Sequence, residues 1–209
     1  MSKSEPRLGR SAMLAAAILF SVQGLASAQD AAYFTRMLSA PATRGLTTEP
    51  SVTPEHIAEE QFVRGLGKRH ADRSLSVSDV SKLDAIVATR RDVDFEVHFA
   101  LNSADLRGKD REVVEQLGVA LGGPAFKDST FLIMGHTDSR GSAKANQKLS
   151  ERRAEAVKKV LVAEYGVAPE RLVTVGYGQT HLKNESEPTA SENRRVQVVN
   201  IMAFKAAKN

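Results

Sequence analysis

Gly135-His-Thr-Asp-Ser-Arg-Gly141, with the following Asn146-Gln-Lys-Leu-Ser-Glu-Arg-Arg-Ala-Glu-Ala-Val157, is the stretch from which the rest of the chain can be read. Thr130 to Met134 precedes it as a continuous run of strand formers, as expected of a central strand. A polar, glycine-bearing loop comes next, and then a helical pattern from about Ser142 to Tyr165, closed by Gly166 with Pro169 just beyond. Ligand-binding side chains tend to collect where a strand ends and a helix begins.

On a helical wheel at roughly 100° per residue, Leu149, Val157 and Val160 share one sector, with Leu161 at its edge. Lys148, Glu151, Arg152, Glu155 and Lys159 lie opposite. Two polar residues fall on the apolar side, Asn146 and Arg153. Arg152 stays in water, but Arg153 is aimed at the sheet. An inward guanidinium is costly unless a carboxylate or an anionic ligand meets it. Asp138 is the nearby counter-charge. The residues alone leave two readings open. Asp138 and Arg153 form a structural ion pair, or together they hold a zwitterion, with Asp138 on its ammonium and Arg153 forked onto its carboxylate.

Upstream, Val93, Phe95, Val97 and Phe99 alternate with Asp94, Glu96 and His98, the mark of a strand with one buried face. Asn102-Ser-Ala-Asp-Leu106 turns the chain, and Val113, Val114, Leu117, Ala120 and Leu121 stripe a helix that ends at Gly122-Gly-Pro124. Downstream, Leu172 to Val175 predicts a third strand, Gly178 to Asn193 a long polar loop, and Val196 to Ile201 a last strand. The fold class is α/β, in the sense of an α+β sandwich. A mixed four-stranded sheet in the order β-α-β-α-β-β carries helices packed on it. The two crossovers are expected to be right-handed and parallel. The final strand, after its long loop, is free to pair antiparallel.

The N-terminus has another character. Lys3, Arg7 and Arg10 start it, Ser11 to Leu25 is small and apolar, and Ala26-Ser27-Ala28 is a small-residue cleavage site. Residues 1–28 therefore read as a signal peptide. Residues 29–90 read as a weakly structured linker with one or two short helices. One runs from Glu55 to Leu66 behind Thr53 and Pro54; the other carries Val80, Leu83 and Val87 behind Ser78 as cap. Residues 91–204 make the main domain and 205–209 a tail.

The 209 residues include no cysteine, which excludes disulfides, thiolate metal sites and a cysteine-anchored lipid. Cleavage after Ala28 removes Lys3, Arg7, Arg10 and Glu5 and takes the formal charge from +4 to +2. Three tyrosines and no tryptophan give no basic–aromatic interleaving, so nucleic acid is not an expected partner. His136 beside Asp138 invites a hydrolase, but neither a Ser-His-Asp arrangement nor metal-ligand spacing accompanies them. No catalytic residue, metal or cofactor is expected.

From Val93 to Ile201 the chain closely resembles the C-terminal, peptidoglycan-binding domain of outer membrane protein A, a family that includes peptidoglycan-associated lipoproteins and flagellar stators. The motifs are Phe99 with Asn102-Ser-Ala-x-Leu106; Gly135-His-Thr-Asp-x-x-Gly141; Asn146-x-x-Leu-Ser-x-x-Arg-Ala154 with Val157; Arg171-Leu with Gly176-Tyr-Gly178; and Asn193-Arg-Arg-Val196. The resemblance implies non-covalent binding of peptidoglycan through the meso-diaminopimelate of the stem peptide, anchoring or stabilising the cell envelope. It places the acid of the grip on Asp138 and the base on Arg153, with Asn102, Thr137, Asn146, Leu149 and Arg194 as secondary contacts. Ala100 and Ala145 depart from the acid and the aromatic often found there, and the proline expected near Leu182 is missing. These changes alter the rim of the site. The expected location is the periplasm of a Gram-negative cell, on the wall and near the outer membrane, with residues 29–90 available to another envelope protein. The alternatives are a periplasmic cell-wall hydrolase and a stator-like protein that keeps its apolar N-terminus as an anchor.

Overall fold

The computed structural model describes residues 31–38, 54–69, 75–88 and 93–202. The expected signal peptide over residues 1–28, its expected cleavage site and the tail at 205–209 lie outside the described residues. In chain order the elements are a helical segment α1 over residues 31–38, α2 (Pro54–Arg69), α3 (Val77–Ala88), β1 (Val93–His98), α4 (Gly108–Gly122), β2 (Phe131–Gly135), α5 (Ala143–Tyr165), β3 (Leu172–Gly176) and β4 (Arg195–Asn200).

The four strands form one mixed sheet in the order β1-β4-β2-β3. β2 pairs with β3 in parallel, from Phe131 opposite Leu172 to Gly135 opposite Gly176. β4 runs antiparallel to both β2 and β1, with Gly135 and Val97 each opposite Val196. The expected β-α-β-α-β-β order holds, but β1 and β2 are not neighbours. The last strand slots between them, so only the β2-α5-β3 unit joins adjacent parallel strands.

Both faces of this sheet are covered. On one, Phe131, Ile133, Leu172, Val196 and Val198 pack against Val114, Leu117 and Leu121 of α4 and Ala154, Val157 and Leu161 of α5. Phe34 and Leu38 of α1 join this core, and Asn200 Nδ2 donates to Leu38 O at 3.3 Å. On the other face Leu132, Met134, Val173, Val175, Val199 and Ile201 pack against Val63 and Leu66 of α2 and Leu83 and Ile86 of α3. That is why β2 reads as a continuous apolar run: alternate residues fill two cores.

The region read as a linker with one or two short helices thus contributes a second layer. Each of its two longer helices offers only a short apolar stripe, and the stripe acquires meaning once the sheet's second face is opposite it. The cap of α3 also differs from the expected Ser78: Ser76 Oγ accepts from Asp79 N at 3.2 Å. Ser142 caps α5 by accepting from Ala145 N at 3.2 Å, and Gly166 ends it at φ 62°, a left-handed turn that glycine enters without a Cβ clash. Arg171 ties the start of β3 to its surroundings, donating to Ser129 O at 3.1 Å and Leu121 O at 3.0 Å.

Candidate functional site

The site forms where β2 stops and α5 starts. Gly135 and Gly176 end the two paired strands, and α5 lies directly on them. A Cβ on Gly135 would stand 1.9 Å from Ser150 O, and one on Gly176 would stand 2.5 Å from Ser150 Oγ. Only side-chain-free residues allow this approach. Ser150 uses it: its hydroxyl accepts from Gly178 N at 2.9 Å and donates to Gln147 O at 2.7 Å. The start of α5 is thereby fixed against the strand ends.

Beside this seam is a cleft of about 260 Å³. Asp138, Arg153, Asn146 and Thr137 line it, as do Asn102, Leu149 and Arg194. All seven residues named from the sequence converge there. Leu101, Arg140, Gly141 and Ala145 complete its wall.

Arg153 is fully buried, as the wheel required. Its partner is not Asp138. Nε donates to Ser103 O at 2.9 Å, Nη1 to His136 O at 2.8 Å and Nη2 to Ala100 O at 3.2 Å. Its guanidinium also lies 5.0 Å over the Phe99 ring. The turn at 100–103 presents two of these carbonyls, with Asn102 at φ 55°, a left-handed conformation that asparagine tolerates. Burial first, then the neighbouring Arg194, lowers the pKa of Arg153 to about 10, while Asp138 acts in the opposite direction. At neutral pH the cation persists, steadied by carbonyl dipoles.

Asp138 instead pairs with Arg194, whose Nη1 lies 3.1 Å from Oδ2. Its Oδ1 accepts from Arg140 N at 3.2 Å. The simple ion pair between Asp138 and Arg153 is therefore replaced by one acid facing two bases, one of them bonded to it. Arg194 also donates from Nε to Phe99 O at 3.1 Å. Arg195 turns to the opposite face, toward His181 O and Gln197 Oε1, as strand alternation predicts for this pair.

Asn146 Nδ2 donates to Asp138 O at 3.2 Å, Arg140 O at 3.0 Å and Gln179 Oε1 at 2.6 Å, so it closes the loop over the start of α5. Gly141 at φ 93° lets that loop turn back. Thr137 N donates to Gly178 O at 2.8 Å, while Thr137 Oγ1 is buried with no hydrogen-bond partner among the described residues. Leu149 contributes an apolar patch.

β2 ends at Gly135, so strand alternation does not set the directions of His136 and Asp138 beyond it. The imidazole does not line the cleft. It is buried and stacked on Tyr177, with centroids 5.5 Å apart and rings 11° from parallel. Burial, then the charges of Arg195 and His181, lowers its pKa to about 3, so it is neutral. Tyr177 in turn donates its hydroxyl to Asp84 of α3.

The motif Asn193-Arg-Arg-Val196 marked Asn193 without giving it a role, and the structure supplies one. Fully buried, it accepts from Asn184 N at 2.9 Å and donates to the carbonyls of Asn184, Glu187 and Pro188. The loop from Gly178 to Asn193 is built around this amide, and Pro188 O receives Ser139 N at 3.0 Å at the edge of the cleft.

Residues 98–195 match the model of the OmpA family. Outer membrane porin F of Pseudomonas fluorescens is 51% identical over 67 residues, which is 31% of this chain and 20% of the porin. The peptidoglycan-associated lipoprotein of Pseudomonas aeruginosa is 32% identical over 125 residues, 59% of this chain and 67% of the lipoprotein. Among solved structures, the peptidoglycan-associated lipoprotein from Burkholderia pseudomallei aligns at 27% identity and TM-score 0.44, over 50% of this chain and 88% of that one. The chain spans about a fifth of the length of the porin. On the match to the family model and the lipoprotein shared across two thirds of its length, the chain belongs to the OmpA family.

Proposed function

We propose that the cleft binds peptidoglycan without catalysis, holding the free amino acid end of meso-diaminopimelate in a stem peptide. Asp138 receives the ammonium, and Arg153, assisted by Arg194, receives the carboxylate. Asn102, Thr137, Asn146 and Leu149 shape the ligand's surroundings. The observation that carries this reading is the meeting of one buried acid and two guanidiniums in a single cleft. Opposite charges that are already fixed in place bind a zwitterion at low ordering cost. Thr137 Oγ1 adds an unused hydroxyl on the same wall. The names of the relatives, a peptidoglycan-associated lipoprotein and an outer membrane porin, support the same direction.

In this reading residues 1–28 direct export, residues 91–204 form the wall-binding domain, and the protein sits in the periplasm, tethered by the wall near the outer membrane. Residues 29–90 are available to another envelope protein. A hydrolase is disfavoured by the orientation of His136, whose ring is turned away from the cleft that holds Asp138.

The test is co-sedimentation of the purified protein with diaminopimelate-type sacculi, competed by a soluble stem peptide. Saturable pelleting, reversed by the peptide, is expected. Release of soluble muropeptides, or pelleting that the peptide cannot reverse, would overturn the reading.

A further inference from the structure

Charge balance in the cleft asks for more than a zwitterion. The lining side chains carry three guanidiniums, on Arg140, Arg153 and Arg194, and one carboxylate, on Asp138. Both oxygens of that carboxylate are engaged within the protein. A zwitterion brings one charge of each sign and leaves the positive surplus unchanged. A complementary ligand must therefore carry more carboxylates than ammoniums.

The three bases are not equivalent. Arg153 and Arg194 are held by backbone carbonyls and by Asp138. Arg140 has an exposed side chain at the rim, and no hydrogen bond or ion pair engages its guanidinium among the described residues. Its backbone is pinned all the same: N donates to Asp138 Oδ1, and O accepts from Asn146 Nδ2. The anchor of the side chain is fixed while its charged end can reach over the cleft. Arginine suits this task, because its planar fork takes a carboxylate in two parallel bonds.

We infer that Arg140 is a specificity residue that reads a second carboxylate on the stem peptide, beyond the zwitterionic end of diaminopimelate, so that the cleft selects stems whose other carboxylates are free over stems in which they are amidated. The inference rests on the wall-binding reading above. A tripeptide of alanine, γ-linked glutamate and diaminopimelate has two such groups, the main-chain terminus and the glutamyl α-carboxylate. Amidation neutralises both and leaves the zwitterionic end untouched.

The test compares two synthetic tripeptides, one with both of these carboxylates free and one with both as primary amides, by calorimetry on the wild-type protein and on Arg140→Gln. The free form should bind wild type roughly two- to fivefold more tightly, the range for an exposed ion pair. That preference should shrink as salt rises. In Arg140→Gln it should vanish, with the amidated peptide bound as by wild type. Equal binding of both peptides to wild type, or a preference that survives in Arg140→Gln, overturns the role of Arg140. If neither peptide binds wild type, the wall-binding reading fails and this inference fails with it.

Discussion

Arg194 Nη1 stands 3.1 Å from Asp138 Oδ2, and Nε of the same side chain donates to Phe99 O at 3.1 Å. One residue at the entry to β4 thus ties the loop after β2 to the end of β1. Asp138 needs no ligand to be held in position, and neither does Arg153 within its three carbonyls. The cleft is preorganised, which favours affinity by reducing what must be ordered on binding.

Asp138→Asn keeps the shape of the side chain and its bond from Arg140 N but removes the charge. The protein should stay folded, with stability lower by about 1–3 kcal/mol because Arg194 loses its acid. Sacculus binding should fall roughly tenfold to a hundredfold. Co-sedimentation alongside a thermal melt checks both, and full binding by this variant would remove Asp138 from the grip.

Arg153→Lys should behave differently. A single ammonium cannot span the carbonyls of the 100–103 turn and that of His136 at once. Polar groups left buried without partners should lower stability by about 3–5 kcal/mol. The urea midpoint should drop together with binding. An unchanged midpoint would show that the carbonyl cage is dispensable to the fold.

Gly135→Ala places a methyl group where Ser150 O already lies. Backbone on both sides must shift, at about 1–3 kcal/mol or more. Because α5 carries Asn146 and Arg153, wall binding should weaken as well. Gly65→Ala, in helix α2 with open space around its Cβ, is the matched control. It should be neutral or stabilising by roughly 0.5–1 kcal/mol. Denaturant unfolding of the pair separates a crowded seam from a general intolerance of alanine.

His136 predicts the acid limb of stability. Its pKa falls from the ordinary 6.5 to about 3 in the folded protein. Between those values the unfolded chain binds the extra proton, so stability is greatest above the upper value and declines as pH falls toward the lower. The slope for one proton is about 1.4 kcal/mol per pH unit. Urea melts of wild type and His136→Phe from pH 7 down to about pH 3 should diverge by this slope. Parallel curves would mean that the imidazole is protonated in the folded state.

Deleting all residues before Val93 should uncover the apolar side of the sheet formed by Leu132, Met134, Val173 and Val199. The shortened chain is expected to bind a hydrophobic dye, aggregate and melt earlier. Tyr177→Phe, which removes only the hydroxyl that reaches Asp84, should cost about 1 kcal/mol. A shortened chain as soluble and stable as the full one would reduce α2 and α3 to passengers.

Much of this was readable before the structure. The period of 3.6 residues separated inward Arg153 from outward Arg152, and both are placed so. The run at β2 identified a central strand, and Ser142 and Gly166 bracketed α5. Position along the chain could not reveal that β4 inserts between β1 and β2, because strand neighbours are chosen by contacts distant in sequence. The carbonyl cage of Arg153 was hidden for the same reason. Backbone oxygens carry no residue identity, and the turn at 100–103 lies 50 positions from the guanidinium that uses its Ser103 carbonyl. The direction of His136 was not legible either, because β2 stops at Gly135 and strand alternation does not extend to it.

The placement of β4 has a consequence in time. Synthesis proceeds from the N-terminus, so β1 must wait, separated from β2 and β3, until Asn200 has emerged to bridge them. Arg194 arrives with that same last strand. A nascent chain therefore has no half-built stage in which the cleft is fully lined, and its complete wall appears in one late event.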